Sequence, residues 1–285
     1  MKAPSFAYAR PESIDKAVAL LSQYGDEAKI LAGGQSLMAT LNMRLSAPEL
    51  LIDINCIDTL SGINLDGETL KIGALTRQVD VERSPLVAQH APLLTLAMPH
   101  IAHPAIRNRG TFGGSVAFAD PAAELPACVV ALDADLVLQG KNGERKIPAK
   151  EFFRGLYETA LAEDEILVSI EIPVASANTR AAFKELARRH GDYAIIGLAA
   201  NSQWQNDEMS ELRLVFFSAG DQPVVARETA KLLLGAPSEG KIESAMDQLV
   251  QELDPPEDLS ASSTMRLHLA KVLTRRVMKE LNDAG

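Results

Sequence analysis

Cysteine is the scarcest chemistry in this chain: among 285 residues only Cys56 and Cys128 carry a thiol. Two thiolates cannot complete an iron–sulfur cluster, which takes four, and without a CxxC pair neither a zinc site nor a thioredoxin-like redox centre is encoded. Such sparing use suits a reducing intracellular compartment, with each thiol acting as a small buried hydrophobe. Positive charge is also short, with 28 Lys and Arg against 38 Asp and Glu and a net charge of −10. A chain this acidic lacks the basic face that nucleic-acid phosphates require. No apolar run precedes Arg10, the second charge of the N-terminal stretch, so no secretory signal is read there and a cytoplasmic location is expected. The one long stretch free of Asp, Glu, Lys and Arg, Ser84 to Ile106, is broken by Pro85, Pro92, Pro99 and Pro104 and carries His90, His100 and His103. It reads as a buried helix followed by a proline-punctuated loop, and no transmembrane segment is expected.

What is present is ordinary globular material, 47% hydrophobic and 23% charged, at a length that suits about two domains. Ser13 can cap a helix whose apolar face is Ile14, Ala17, Val18 and Leu21, with Gly25 as its stop. A short strand over Lys29 to Ala32, a Gly33-Gly34 turn, a helix from Ser36 to Arg44 and a strand over Leu50 to Ile54 follow. Beyond them the pattern predicts a strand over Thr69 to Leu75, helices over Thr76 to Arg83 and Pro85 to Met98, and a loop from His100 to Pro126. A helix over Glu124 to Leu132, a hairpin turning at Lys141-Asn142-Gly143-Glu144 and a strand over Glu165 to Ile172 close this part at Pro173. From Val174 onward strands come first, around Ala181-Phe183, Ala194-Ala200 and Glu211-Ser218, and helices last, near Glu228-Leu234, Ile242-Leu253 and Met265-Leu281. Strands followed by helices indicate α+β.

Two glycine turns hold the densest chemistry. Ala32-Gly33-Gly34-Gln35-Ser36-Leu37 lies between strand and helix, where bare N–H groups can receive a phosphate and missing Cβ atoms let it approach. It has neither the lysine of a P-loop nor a GxGxxG, so taken alone it also suits a purely structural turn. The second, Arg107-Asn108-Arg109-Gly110-Thr111-Phe112-Gly113-Gly114-Ser115, leads to Ala119-Asp120-Pro121-Ala122-Ala123-Glu124-Leu125-Pro126. Its glycines and hydroxyls offer donors to a pyrophosphate, and Asp120 and Glu124 can accept from sugar hydroxyls. Two such cradles suit one dinucleotide. His100 and His103 have no third ligand nearby for a metal, Ser36 and Ser115 show no nucleophile elbow, and Arg107, Arg109, Arg188 and Arg189 suit surface or interface charges.

These two motifs, His100-Ile101-Ala102-His103 with Ile106-Arg107-Asn108, and Phe183-Lys184-Glu185-Leu186-Ala187-Arg188-Arg189-His190-Gly191-Asp192-Tyr193-Ala194 together resemble the FAD-carrying medium subunit of the molybdenum hydroxylases. That family includes the aerobic carbon monoxide dehydrogenase medium subunit, bacterial N-heterocycle dehydrogenases and the flavin domain of xanthine dehydrogenase. The resemblance covers essentially the whole chain. It implies an α+β fold: a two-subdomain FAD-binding domain of the PCMH or vanillyl-alcohol-oxidase type, over residues 1–58 and 59–173, then a smaller α+β C-terminal domain over 174–285.

The resemblance also implies roles. Ala32, Gly33, Gly34, Gln35, Ser36 and Leu37 with Gly110, Thr111, Gly113, Gly114 and Ser115 would hold the diphosphate and ribityl part of FAD. Ile101 and Ala102 would line the flavin pocket, Glu124 and nearby Asp120 would bond cofactor hydroxyls, and Leu161 resembles a pocket leucine. Lys184 matches a flavin-contacting lysine, and Tyr193 an aromatic covering one face of the isoalloxazine. Gln35 stands where related folds can carry a tethering histidine, so the expected FAD is noncovalent. The chain would be an electron-transfer subunit with no substrate-transforming residue of its own. Its expected partners are a small [2Fe–2S] subunit and a large molybdopterin-binding subunit, in a dimer of heterotrimers. The rival reading is a self-contained FAD-dependent oxidase or reductase of the same broad fold, which would need its own acid or base outside the FAD motifs.

Overall fold

The computed structural model describes residues 2–236 and 238–284, arranged around three principal sheets. The first is small and parallel. Strand β1 (Ala7–Ala9) precedes helix α1 (Ile14–Tyr24), whose Ser13 cap accepts from the Lys16 N–H at 3.3 Å and whose Ala17, Val18 and Leu21 are buried. Strand β2 (Ala28–Leu31), helix α2 (Leu37–Asn42) and strand β3 (Leu50–Asp53) complete the unit, with β3 central and β1 and β2 parallel to it. Such crossovers leave the Ala32–Ser36 turn at the carboxyl end of β2, where open parallel sheets present ligand sites.

The second sheet is antiparallel. Strands β4 (Ile63–Asp66) and β5 (Thr69–Gly73) form a hairpin, and helices α3 (Gln78–Arg83), α4 (Pro85–His90), α5 (Pro92–Ala97), α6 (Pro104–Arg107), α7 (Phe112–Phe118) and α8 (Glu124–Ala131) follow before the chain returns to it. Strands β6 (Asp135–Gly140) and β7 (Gly143–Pro148) form the expected hairpin, followed by helix α9 (Ala149–Phe152), the β8 (Phe153–Gly155) and β9 (Glu158–Thr159) pair, and β10 (Ile166–Pro173). The strand order is β4-β5-β10-β6-β7. A bulge between Leu167 and Ser169 lets β10 serve two cores: Ile166 and Val168 join that of the first unit, Ile170 and Ile172 the middle one.

Three sequence expectations need correction here. The helix read over Pro85 to Met98 is two helices, because Pro92 has no N–H to continue the first. The helix read from Thr76 starts at Gln78, since Thr76 is held by its side chain to Gly62 and by its carbonyl to Phe112. The loop read from His100 to Pro126 contains α6 and α7. Helix α7 is poor in intrinsic propensity, with Gly113 and Gly114 in its first turn, and forms because Gly113 seats it on the backbone of Ala74.

The third sheet joins the halves of the molecule. Strands β11 (Thr179–Ala187), β12 (Ala194–Gln205), β13 (Glu208–Phe217) and β14 (Val224–Val225) are antiparallel, followed by α10 (Arg227–Leu233), α11 (Glu239–Glu252) and α12 (Ser263–Asp283). On β11 and β12 the two faces alternate: Phe183 and Ala199 join the middle core beside α5 and α8, whereas Ala182, Ile196, Leu198 and Ala200 join a second core under α12. Burial on both faces hides the polar–apolar alternation by which a half-exposed strand is recognised, so the sequence reading found only fragments of these strands. No helix among the described residues is long and apolar enough to cross a membrane.

Gly197 and Phe217 are register partners, and a Cβ at Gly197 would lie 1.9 Å from the Phe217 ring, which in turn stacks on Phe183 at 5.6 Å. Gly197→Ala is therefore expected to force this buried stack apart and to lower stability in urea unfolding by ~1–3 kcal/mol or more.

Candidate functional site

The two glycine turns meet each other. A Cβ on Gly33 would fall 2.4 Å from the Arg109 carbonyl oxygen and 2.9 Å from the Gly110 Cα, so only glycine permits this backbone contact. Beside it opens a cleft of about 520 Å³ lined by Ala32, Gly33, Gly34, Gln35, Asp53 and Arg109 among others. Among the described residues, none of the backbone N–H groups of Gly33, Gly34, Gln35 and Ser36 donates to another part of the protein. Consecutive free backbone donors are the chemistry from which anion-binding concavities are built.

The second turn differs. The Gly110 N–H donates to Ile106, Phe112 to Thr76, Gly113 to Ala74, Gly114 to the Thr111 hydroxyl oxygen, and Ser115 to the Thr111 carbonyl. Its glycines face the protein: a Cβ on Gly113 would strike Ala74 and one on Gly114 would strike Thr111 Oγ1, each at 2.4 Å. The expected row of backbone donors is thus spent on capping and seating α7. What this turn leaves toward a ligand is the half-buried Ser115. Thr111, expected there, is buried with its hydroxyl oxygen taken by the Gly114 N–H, and the turn's Arg109-Gly110 backbone packs on Gly33 of the first turn.

Residues outside the sequence-chosen set hold this arrangement. Arg77 donates to the Arg109 carbonyl at 2.6 Å and to Asn55 Oδ1 at 2.7 Å, while Asn55 Nδ2 donates to the Ala32 carbonyl at 2.8 Å. One guanidinium and one amide therefore clamp the two turns in register. Asp53 lines the cleft and accepts from the Tyr8 hydroxyl at 2.5 Å. Desolvation would raise its pKa, but the hydrogen bonds from Tyr8 and Asn55 outweigh that and hold it below the usual carboxylate value. Polar residues directly after strand β3, beside the first turn, were the available sequence signal.

Helix α7 carries the site to its other end. Seven residues at 1.5 Å each span ~10 Å, from Thr111 to the Ala119-Asp120 corner. There Asp120 is buried and accepts from the Ala122 N–H at 2.9 Å. Tyr193 and Tyr157 stand over it as exposed aromatics, and Tyr157 meets Phe118 at 5.2 Å. Desolvation and the Asp120 carboxylate push the Tyr193 phenol up to about 12, so it stays protonated at neutral pH. Ile101 and Ala102 form a turn whose carbonyls accept from Arg107, itself buried and paired with both carboxylate oxygens of Glu82. Arg107, read as a surface charge, is thus an internal brace. Gly191 packs against this turn so closely that a Cβ would lie 2.6 Å from the Ala102 carbonyl.

Beneath lie His100, Glu124 and Glu185. Glu124 opens α8, is nine-tenths buried, and has a pKa raised to about 7, chiefly by desolvation and further by the Glu185 charge. Glu185 sits on β11 with its side chain 5% exposed, its Oε1 3.4 Å from His100 Nδ1 and its Oε2 buried without a partner. Two sequence-chosen residues stand apart from these groups. Lys184 faces the opposite side of β11, where it pairs with Glu280 of α12, and half-buried Leu161 packs on the middle core beyond β9.

Comparison with known proteins matches these features to a family. Residues 4–175 match the "FAD binding domain in molybdopterin dehydrogenase" and residues 181–281 the "CO dehydrogenase flavoprotein C-terminal domain". The chain is 40% identical to the 6-hydroxypseudooxynicotine dehydrogenase complex subunit alpha of Paenarthrobacter nicotinovorans, over 98% of this chain and 95% of that one. It is 38% identical to the carbon monoxide dehydrogenase medium chain of Hydrogenophaga pseudoflava, over 96% of each. The solved carbon monoxide dehydrogenase from that organism superimposes with a TM-score of 0.96 over 99% of this chain and 98% of that chain, at 38% identity. Quinoline 2-oxidoreductase of Pseudomonas putida 86 does so with a TM-score of 0.94 over 100% and 99%, at 34% identity.

Glu124 makes stability depend on pH. Below its ordinary value of 4.5 the carboxyl is protonated folded or unfolded and costs nothing. Between 4.5 and about 7 the unfolded chain ionises it while the fold keeps it neutral, so stability falls as pH rises, then stays low. At 1.36 kcal/mol per pH unit the loss is ~3 kcal/mol. In urea titrations of the cofactor-free chain, Glu124→Gln is expected to gain on the wild type by that amount between pH 4.5 and 7.5.

Proposed function

The chain belongs to the FAD-binding medium subunits of the molybdenum hydroxylases, and from that premise we propose how its own residues divide the work. It is an electron-transfer subunit of a molybdopterin-dependent oxidoreductase, passing electrons from [2Fe–2S] clusters of a partner subunit to a terminal acceptor. The molybdenum cofactor belongs to another subunit. Bound FAD supplies the electron-storing chemistry; the residues here hold, orient and shield it.

The observation that carries the assignment is the row of four N–H groups without an acceptor in the protein on Gly33, Gly34, Gln35 and Ser36, the first three of which line the cleft. These donors take the diphosphate. The Ser115 hydroxyl adds a donor from α7, while Thr111 caps that helix and Gly110, Gly113 and Gly114 contribute by close packing. Asp53, ionised in a cleft meant for an anion, suits a hydroxyl or amino donor of the nucleotide rather than a phosphate. At the far end of α7, Ile101 and Ala102 line the isoalloxazine pocket, Tyr193 covers one face, and Asp120 and Glu124 mark its polar edge. Lys184 is left to the domain junction. FAD is held noncovalently, since the Gln35 amide is no nucleophile and donates to the Gly33 carbonyl at 3.0 Å, while His100 is engaged by Glu185.

The three sheets support the division into 1–58, 59–173 and 174–285. The working assembly in this reading is a cytoplasmic dimer of heterotrimers, each with a small [2Fe–2S] and a large molybdopterin-binding subunit. In support, relatives are named as a carbon monoxide dehydrogenase medium chain, a caffeine dehydrogenase subunit beta and a nicotine 6-hydroxylase medium subunit.

Three outcomes test this reading. Acid precipitation of the purified chain should leave all its yellow chromophore in the supernatant, and colour in the pellet would overturn noncovalent binding. Gly33→Ala should lose most of the FAD by absorbance ratio while Lys184→Ala keeps it. Without partners the chain should show no hydroxylase activity; turnover at about 1 per second or faster would instead make it a self-contained flavoenzyme.

A further inference from the structure

Arg266, in the first turn of α12, is a buried cation with only 4% of its side chain exposed. Its Nη1 donates to the Ile195 carbonyl at 2.5 Å and to the Ser218 carbonyl at 3.0 Å, and its Nη2 donates to Asp258 Oδ2 at 2.6 Å. An apolar side chain would fill this space without desolvating a charge. What only a planar guanidinium supplies is a set of donors in fixed directions, here aimed at three separate segments. Ser218, held in the left-handed region at φ +55°, commits each of its polar groups to the same junction. Its N–H donates to the Pro121 carbonyl at 2.8 Å, its hydroxyl to the Ala194 carbonyl at 2.8 Å, and its carbonyl accepts from Arg266.

The two carbonyls that follow Tyr193 are therefore both held, Ala194 by Ser218 and Ile195 by Arg266, and the same pair grips Pro121 beside Asp120. On the other side of Tyr193, Arg188 donates to the Leu259 carbonyl at 3.0 Å, in the loop that Asp258 closes by accepting from the Ser260 and Ala261 N–H groups at 2.7 and 3.1 Å. The segment carrying Tyr193 is thus fastened on both sides to α12 and the loop before it. Tyr193 itself is 68% exposed. A ring so exposed takes little of its placement from packing, so the backbone that carries it decides where it stands.

We propose that Arg266 is the positioning residue for the aromatic that covers the flavin: from α12 it fixes Tyr193 against the Asp120 corner, so the C-terminal unit sets how the phenol stacks on the isoalloxazine. This rests on the FAD reading above. Arg266 acts through the Ile195 and Ser218 carbonyls, without touching the cofactor. A lysine in its place has one ammonium and cannot reach all three acceptors.

The test reads flavin fluorescence in the FAD-loaded full chain, with bound FAD counted by absorbance, because a stacked phenol quenches an excited isoalloxazine by giving it an electron. Tyr193→Ala is expected to raise the emission per bound flavin severalfold, and Arg266→Lys to give a comparable rise. Combined with Tyr193→Ala, Arg266→Lys should add nothing further, since both act on one contact. Arg180→Lys alters another guanidinium of this unit, one that lies over Trp204 at 3.9 Å and donates to the Leu281 carbonyl, and should leave the emission unchanged. A full further rise in the double variant, or an equal rise in Arg180→Lys, would reduce Arg266 to a general structural role and overturn the proposal. If Arg266→Lys does not fold, Ser218→Gly carries the same expectation, because glycine suits the left-handed backbone and only the hydroxyl on Ala194 is lost. Unchanged emission in these variants beside a rise in Tyr193→Ala would sink the positioning role and leave the FAD reading intact. Unchanged emission in Tyr193→Ala would take Tyr193 off the flavin, and the proposal with it; failure of the wild-type chain to bind FAD would overturn the FAD reading itself.

Discussion

The contact between Gly33 and the Arg109-Gly110 backbone is the constraint on which the site depends. Two turns far apart in sequence approach to a distance that leaves no space for a single Cβ. The first is delivered by a parallel sheet, the second by the start of α7 on the antiparallel sheet, and Arg77 with Asn55 clamps them from behind. Arg77 and Asn55 occupy the Arg109 and Ala32 carbonyls, so these two acceptors are taken by side chains while the N–H groups of the first turn keep no acceptor in the protein. A larger residue at position 33 would part the two sheets' contributions and with them the cradle.

The same division between a supporting and an offering partner recurs at the other end of α7. Arg107 and Gly191 brace the Ile101-Ala102 turn, while the aromatics Tyr157 and Tyr193 lie exposed and Asp120 and Glu124 are buried. Sheet β11-β12-β13-β14 couples the halves: one face completes the middle core, the other seats α12. Pro121 accepts from the Ser218 N–H at 2.8 Å, and Arg266 of α12 donates to the Ser218 carbonyl at 3.0 Å. The C-terminal unit is thereby tied to the Asp120 corner, so the site's far wall and its core share one polar junction.

Much of the local structure was legible in the chain. The Ser13 cap, the Gly25 stop, the turn at Gly33-Gly34 and the hairpin at Asn142-Gly143 each rest on interactions within a few residues, and each is where the pattern put it. Helix α7 was not, since a run containing Gly113 and Gly114 has little tendency to coil and is held by Ala74, which lies on another element. Asp53, Asn55 and Arg77 escaped for a related reason: each looks like an ordinary loop or cap residue until the sheets bring them to one cleft.

The sequence by itself determined the family, through three ordered motifs, and with it the cofactor and the electron-transfer role; it also excluded an iron–sulfur cluster on this chain, for lack of thiols. Only the tertiary structure decided which glycine turn keeps its donors free, because whether an N–H is satisfied depends on acceptors such as the Ala74 and Thr76 carbonyls, which neighbouring residues do not reveal. It also decided that Glu185 rather than Lys184 faces His100. Along a strand adjacent residues point to opposite faces, so a one-residue difference in what β11 turns inward separates a surface ion pair with Glu280 from a buried carboxylate beside His100.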